Sequence, residues 1–368
     1  MGKEFAHLIG YVDQSTVNNR GSVGLEAVYQ KEFPGNKLYL TVDSRIQLVI
    51  SKALGWEKGA IVVLDPHTGE ILGSVSQPTY TPEKVHDQWW SYIDNKNTPL
   101  KNRAFEGLYE PGSIVKIVTS SAAIEKNLNM ATVFPLYCKG YTYIDGKIFY
   151  DNEKHKEIRS LEEAFDTSCN VSYARLGIAL GEDALFEYDN RFGFNSVPKT
   201  INIPVAQGNS PKLGLTNYEL AESATGLGDL FRLTPLNAAL IVSAIADDGV
   251  IMSPYLVQKL TNIEGTVLEE NKPVVYKNAI SRQTAQFLTT MMVNDTERGI
   301  GVKARVKGLK VAGKTGTSGS RNPNFHAWFI CFFPAENPKI AMAILAENGG
   351  TGKDVAAPIA KKVIEGMM

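Results

Sequence analysis

The spacing of apolar residues changes repeatedly along the chain. LYLTV (38–42) alternates apolar and polar side chains, the period-two pattern of a strand. Asp43 and Ser44 then stand before RIQLVISKALG, which predicts an N-cap, a helix and a stop at Gly55. GAIVVLD (59–65) and EILGSVS (70–76) are strand-like runs on either side of DPHTG. The Asp, Pro and Gly of that linker predict a tight turn and hence a hairpin. Residues 78–100, with prolines at 78, 82 and 99, read as loop, and residues 1–35 as a loosely structured lead-in. Helical spacing covers about 113–126, 161–180 and 234–247. LKVAGKTGT (309–317), AWFICFFPA (327–335) and KIAMAILAE (339–347) predict three more strands, and about 353–366 a last helix. Strands thus come first and last around a helical middle. Burying them together requires the terminal strands to share an antiparallel sheet flanked by helices, an α+β layered arrangement.

Composition narrows the classes of function. A chain of 368 residues with 43% hydrophobic content holds one large domain or two smaller ones. A net charge of −1 gives no electrostatic reason to expect nucleic acid. Three cysteines are too few for a disulfide scaffold. No apolar run approaches the roughly 18 residues of a membrane span, and MGKEFAHLIGYV lacks the continuous apolar stretch of a signal peptide. The chain as given is expected to be soluble.

Three short motifs carry chemistry. In YEPGSIVKIVT, Ser113 and Lys116 stand three apart, just after a Pro-Gly pair and at the start of an apolar helix. Positions i and i+3 share a helix face, so the two side chains can meet. Free N–H groups at the helix start suit a developing oxyanion. The helix dipole and burial both disfavour a protonated Lys116, and a neutral amine can take the Ser113 proton. In AFDTSCNVSYARLG, the Ser168 hydroxyl can relay a proton, and the Asn170 amide can bind a peptide backbone. In LKVAGKTGTSGS, Lys314, Thr315 and Thr317 suit a carboxylate, while Gly316 allows close approach of an added strand. Ser-x-x-Lys recurs at Ser196–Lys199, where a proline argues against a helix, and Ser-x-Asn recurs at Ser320–Asn322. Taken singly, each motif also fits a solvated helix pair, a helix cap or a strand end. Their occurrence together and in order resembles the motif set of penicillin-binding proteins and class A β-lactamases.

The chain resembles the transpeptidase domain of class B penicillin-binding proteins, a family with the β-lactamase/transpeptidase-like fold. The resemblance runs from about residue 38 to the end, through LTVDSRIQ, GAIVVLDPHTGEILGSVSQPTY, NRAFEGLYEPGSIVK, DTSCN, LTPLNAALIVSAIADDG and AGKTGT. Residues 6–33 resemble the end of the family's N-terminal pedestal, dividing the chain into 1–36 and a transpeptidase domain at 37–368. The resemblance implies that most of the pedestal and a membrane anchor lie upstream, with the enzyme on the extracytoplasmic face of the bacterial cytoplasmic membrane. It implies peptidoglycan stem peptides as substrates, β-lactam antibiotics as covalent inhibitors, a membrane glycan polymerase as partner and no cofactor for acyl transfer. Ser113 would be the nucleophile, Lys116 the base, Ser168 the relay, Asn170 a holder of donor peptide or of Lys116, and Lys314, Thr315 and Thr317 the carboxylate site. Ile114 stands where the family often has threonine, and is expected to face the core. The rivals are a β-lactamase and an acylatable sensor. Glu219 and Glu222 in NYELAESATG lack the asparagine four residues on that a class A β-lactamase would have.

Cys138, Asp151, His155 and Cys169 fall within about thirty residues and are all ligand types for zinc. They match no standard module spacing, so a structural zinc beside Ser168 stands against buried thiols and a loop histidine. The family's extracytoplasmic setting adds a Cys138–Cys169 disulfide as a third alternative.

Overall fold

The computed structural model describes residues 2–13, 20–32, 35–201, 203–211, 214–319 and 325–368. Its centre is a five-stranded antiparallel sheet of β1 (Gly59–Leu64), β2 (Ile71–Gln77), β3 (Ala312–Ser318), β4 (His326–Phe333) and β5 (Ile340–Ala346). The spatial order is β3-β4-β5-β1-β2, so terminal strands from both ends of the chain share one sheet. β1 is buried at every position, which is why its apolar run is continuous: both faces are covered. Val62, Leu64, Ile330, Ala343 and Leu345 enter one core. Ile61, Val63, Phe329, Met342 and Ile344 enter the other. The strand period of two sorts one sequence into two layers.

The second core lies under α1 (Ser44–Leu54) and the C-terminal helix (Ala357–Met367). Asp43 is the cap of α1, its side chain accepting from the N–H groups of Arg45 and Ile46. The first core is filled from α2 (Lys116–Glu125), α3 (Leu161–Asp166), α4 (Asn170–Arg191), α5 (Pro235–Ala246) and α6 (Arg282–Glu297). α5 is buried at all twelve positions, as expected of a helix apolar all round.

Four expectations need correcting. The strand expected at 38–42 is Asn36–Leu40, and it pairs with Val257–Asn262 in a separate three-stranded sheet. The loop at 78–100 contains a 3₁₀ turn, Pro82–Lys84, and a short helix, Trp89–Ile93. The single helix at 161–180 is two helices, α3 and α4, divided at Ser168. The described part of residues 1–36 is ordered against the rest. Leu8, Leu25 and Tyr29 enter the first core, and the carbonyl of Ala6 accepts from the Tyr80 hydroxyl at 2.8 Å. Burial of these three side chains outweighs the weak local pattern of the segment.

Candidate active site

The stretch YEPGSIVK crosses the edge of the sheet and enters α2 through a 3₁₀ turn, Gly112–Val115. Ser113 therefore precedes the α-helix proper. The close packing of this turn on β3 sets the geometry. Gly112 has φ +57, and a Cβ there would lie 2.4 Å from the Thr317 carbonyl oxygen. At Gly316, expected to admit a substrate strand, the turn also packs closely: a Cβ at 316 would lie 2.9 Å from Ile114 Cγ2 and 3.0 Å from the Pro111 oxygen. Ile114 faces the core, fully buried. Gly112→Ala is expected to destabilise the fold by roughly 1–3 kcal/mol and to slow any chemistry at Ser113; thermal melts and labelling of Ser113 check both.

Lys116 opens α2 and is completely buried. Its Nζ lies 2.6 Å from the Ser168 carbonyl oxygen, 2.6 Å from Asn170 Oδ1 and 3.2 Å from Ser168 Oγ. The Tyr173 ring lies beneath it, 5.1 Å from centroid to Nζ. Burial brings its pKa down to about 7, with the Asp151 carboxylate opposing and the Lys314 charge assisting. Ser168 adopts φ +52, the left-handed region, at a cost on the order of 1 kcal/mol for a non-glycine residue. The turn is held by Ser168 N–H donating to Phe165 O at 3.0 Å and Cys169 N–H donating to Ala164 O at 3.0 Å.

A cleft of about 270 Å³ is lined by Ser113, Ser168, Thr315, Gly316 and Thr317, with Asp151 and His155 on its wall. Among the described residues the Thr315 hydroxyl is buried there without a hydrogen-bond partner, which leaves it free to meet an incoming acceptor. A second space, about 470 Å³, adjoins it and is lined by Asn170, Thr317, Ser318, Tyr150 and Glu222. A third, about 480 Å³, lies at the N-terminal segment and contains none of the motif residues. β3 is an edge strand, so one side of its backbone is open to strand addition.

The ammonium of Lys314 is not on the cleft surface. It is fully buried behind β3, 3.1 Å from Phe165 O and 3.4 Å from Asp295 Oδ1. The second Ser-x-x-Lys has a different fate: Ser196 Oγ pairs with the Tyr276 hydroxyl at 2.5 Å, outside any helix. Ser320–Asn322 lies outside the described residues. Glu219 closes a capping box with Thr216.

Of the four expected metal ligands, three converge. One ligand atom each from Cys138, Asp151 and Cys169 lies within 4.8 Å of the others. Both cysteines are free thiols, in place of the expected disulfide alternative. They donate to the same oxygen, Asp151 Oδ2, at 3.4 and 3.1 Å. His155 stands beside them with Nε2 3.5 Å from Asp151 Oδ1. Burial works to raise the Asp151 carboxyl, but His155, the Lys116 charge, Cys169 and the Val171 N–H together bring it down to about 2. Burial and the Asp151 charge push the Cys169 thiol up.

Sequence reasoning missed two acids. Glu110, directly before Pro111, accepts from Gly228 N–H and Gly319 N–H, both at 2.8 Å, tying the Ser113 turn to two loops. Its place next to the Pro-Gly pair was the available signal. Asp295, beside Lys314, gave no local signal in VNDTERG.

Comparison with known proteins agrees with this geometry. The family model described as penicillin binding protein transpeptidase domain matches residues 59–365. The chain is 34% identical to the peptidoglycan D,D-transpeptidase PbpA of Mycolicibacterium smegmatis, over 83% of this chain and 66% of that protein. It thus spans about two thirds of that relative's length. A crystal structure described as the D,D-transpeptidase domain of a peptidoglycan glycosyltransferase from Eggerthella lenta superposes with TM-score 0.93 at 30% identity, covering 100% of this chain and 90% of that one. The imipenem acyl-enzyme complex of penicillin-binding protein A from M. tuberculosis superposes with TM-score 0.91 at 30% identity, covering 100% and 91%. A family match that spans the central sheet, helices α2 to α6 and all three motifs places this chain in the penicillin-binding protein transpeptidase family.

Proposed function

We propose that this protein is a serine D,D-transpeptidase that cross-links peptidoglycan stem peptides and is acylated by β-lactams. The buried Lys116, held at the Ser168–Asn170 turn one helical turn after Ser113, carries this reading. As a neutral amine Lys116 has two N–H donors and one lone pair. The two shortest contacts, Ser168 O and Asn170 Oδ1, take the donors. The lone pair is then left for a hydroxyl proton, from Ser113 or from Ser168 at 3.2 Å.

Ser113 Oγ attacks the carbonyl carbon between two D-alanines, and its proton passes to Lys116. The N–H groups of Ser113 and Thr317 receive the oxyanion. Collapse breaks the C–N bond, and the leaving amine takes the proton from Lys116 through Ser168. An amine of a second stem peptide then attacks the ester and returns the serine. Thr315 and Thr317 hydroxyls bind the terminal carboxylate, with the Lys314 charge acting from behind the strand. In this reading residues 37–368 are the catalytic domain and 1–36 the end of an N-terminal module. The enzyme works outside the cytoplasmic membrane beside a membrane glycan polymerase. Among the described residues no helix is long and apolar enough to cross a membrane. Incubation with a fluorescent penicillin tests the assignment: one stable label per chain at Ser113 is expected, and rapid release of hydrolysed drug would instead favour a β-lactamase.

The donor set beside the site suits zinc. Two thiols, a carboxylate and an imidazole supply four ligands of the types zinc prefers. Each thiol sulfur also accepts a backbone N–H, from Gly140 and Ser172, both at 3.4 Å, a contact that steadies a thiolate ligand. Cys138, Asp151, His155 and Cys169 would hold the ion, which would fix the start of α4 and with it Asn170. Elemental analysis is expected to find about one zinc per chain, and chelation to lower the melting temperature by several degrees. Metal-free protein of unchanged stability and labelling would remove zinc from the account.

A further inference from the structure

Asp295 and Lys314 form an ion pair with both side chains fully buried, Oδ1 to Nζ 3.4 Å. Asp295 comes from α6, which packs on β3 and on α3. Lys314 makes a second bond, donating to Phe165 O at 3.1 Å, and its Nζ lies 4.7 Å from the Phe165 ring centroid. The same Phe165 oxygen accepts from Ser168 N–H at 3.0 Å. That carbonyl therefore links the buried pair to the left-handed turn carrying Ser168, and Ser168 in turn contacts Lys116. Taking two charges wholly out of water is costly, and apolar residues of like volume fill such a space at least as well. Packing alone does not account for an acid at 295.

We infer that Asp295 is a positioning residue for acyl transfer: its carboxylate fixes the Lys314 ammonium behind β3, where Lys314 holds the Phe165 carbonyl and thereby the turn that presents Ser168 to Lys116. The inference rests on the serine transpeptidase reading and adds a part to it. Asp295 touches no substrate and acts through Lys314.

The surrounding charges set a direction for pH. Asp166 on α3 and Lys116 on α2 interact with Lys314, Arg298 pairs with Asp166 at 3.5 Å, and Tyr173 on α4 feels both acids. Burial raises Asp295 to about 6, against the pull of Lys314, and burial also lowers Lys314. The carboxylate's hold on Lys314 is thus present above about pH 6 and lost as Asp295 takes up a proton below it.

The test compares the second-order rate of penicillin acylation in the wild type, Asp295→Asn, Lys314→Met and the double variant, across pH. Asp295→Asn is expected to slow acylation roughly tenfold or more, the scale on which small misplacements of reacting groups register. Its label should remain on Ser113, and its pH profile should lose the acid-side dependence contributed by Asp295. The double variant should be no slower than Lys314→Met alone, because the two residues act as one unit. An Asp295→Asn protein with the wild-type rate and profile would overturn the inference, as would effects that multiply in the double variant. Should Asp295→Asn fail to fold, nitrogen NMR of lysine-labelled wild type decides. Lys314 is expected as an ammonium at neutral pH whose signal moves as Asp295 is protonated, and a neutral or unresponsive Lys314 overturns the proposal. Failure of the wild type itself to be acylated would defeat the parent reading along with it, whereas indifference of Asp295→Asn in an acylated series defeats this step alone.

Discussion

Lys116→Met is expected to slow penicillin acylation by about 10²- to 10⁴-fold, the usual contribution of a positioned general base. The substitution keeps the length and apolar stem of the side chain and removes only the amine. The wild-type rate should rise with pH as Lys116 loses its proton, with a midpoint near the value of about 7 that burial imposes. The variant should lack that limb. Stability behaves differently. A lysine whose folded pKa lies below its ordinary value binds fewer protons folded than unfolded. Its contribution is therefore least favourable below about pH 7 and improves as pH rises from about 7 toward 10.5. Replacing it relieves the burial of a charge but leaves Ser168 O and Asn170 Oδ1 without their donor. These effects oppose, so the melting temperature should move by only a few degrees. A large rate loss with a small shift in melting separates a base from a structural lysine.

Ser113→Ala should carry no covalent penicillin at all. Loss of the nucleophile of a serine acyl-transfer enzyme costs on the order of 10⁶ in rate, beyond the reach of a labelling assay. The fold should survive, because the hydroxyl stands at the wall of the cleft and the turn is shaped by Gly112, Ile114 and Gly316. Non-covalent protection by a stem-peptide analogue should persist in this variant. Label retained at another serine, such as Ser168, would move the nucleophile and dismantle the mechanism.

The sheet was legible because short apolar runs bounded by turn residues are a local property. Ile61, Val62 and Val63 announce both of their neighbours by being apolar in succession. The break at Ser168 was not legible, since DTSCN contains neither proline nor glycine. Distant donors stabilise that turn: Lys116 on the Ser168 carbonyl and Lys314 on the Phe165 carbonyl. LYLTV alternated as a strand should, yet its partner at Val257–Asn262 lies more than two hundred residues away. Alternation fixes which face is buried, not which strand lies alongside. The three motifs were readable as chemistry, and the structure gathers Ser113, Ser168 and Thr315–Thr317 in one cleft. The direction of Lys314 depended on Asp295, an acid at the polar end of a helix that nothing nearby marks as buried. Of the metal-type residues, the convergence of Cys138, Asp151 and Cys169 follows from the start of α4 meeting the Asp151 loop, through Val171 N–H donating to Asp151 at 3.2 Å.

The central claim is that Ser113, activated by Lys116, forms a lasting ester. Intact mass of the wild type after mixing with a penicillin, followed over time and mapped by peptide digestion, addresses it directly. The expected result is one adduct of the full drug mass on the peptide containing Ser113, persisting for many minutes and forming faster as pH rises through about 7. No adduct, an adduct on another residue, or one that clears within seconds as hydrolysed drug would contradict it.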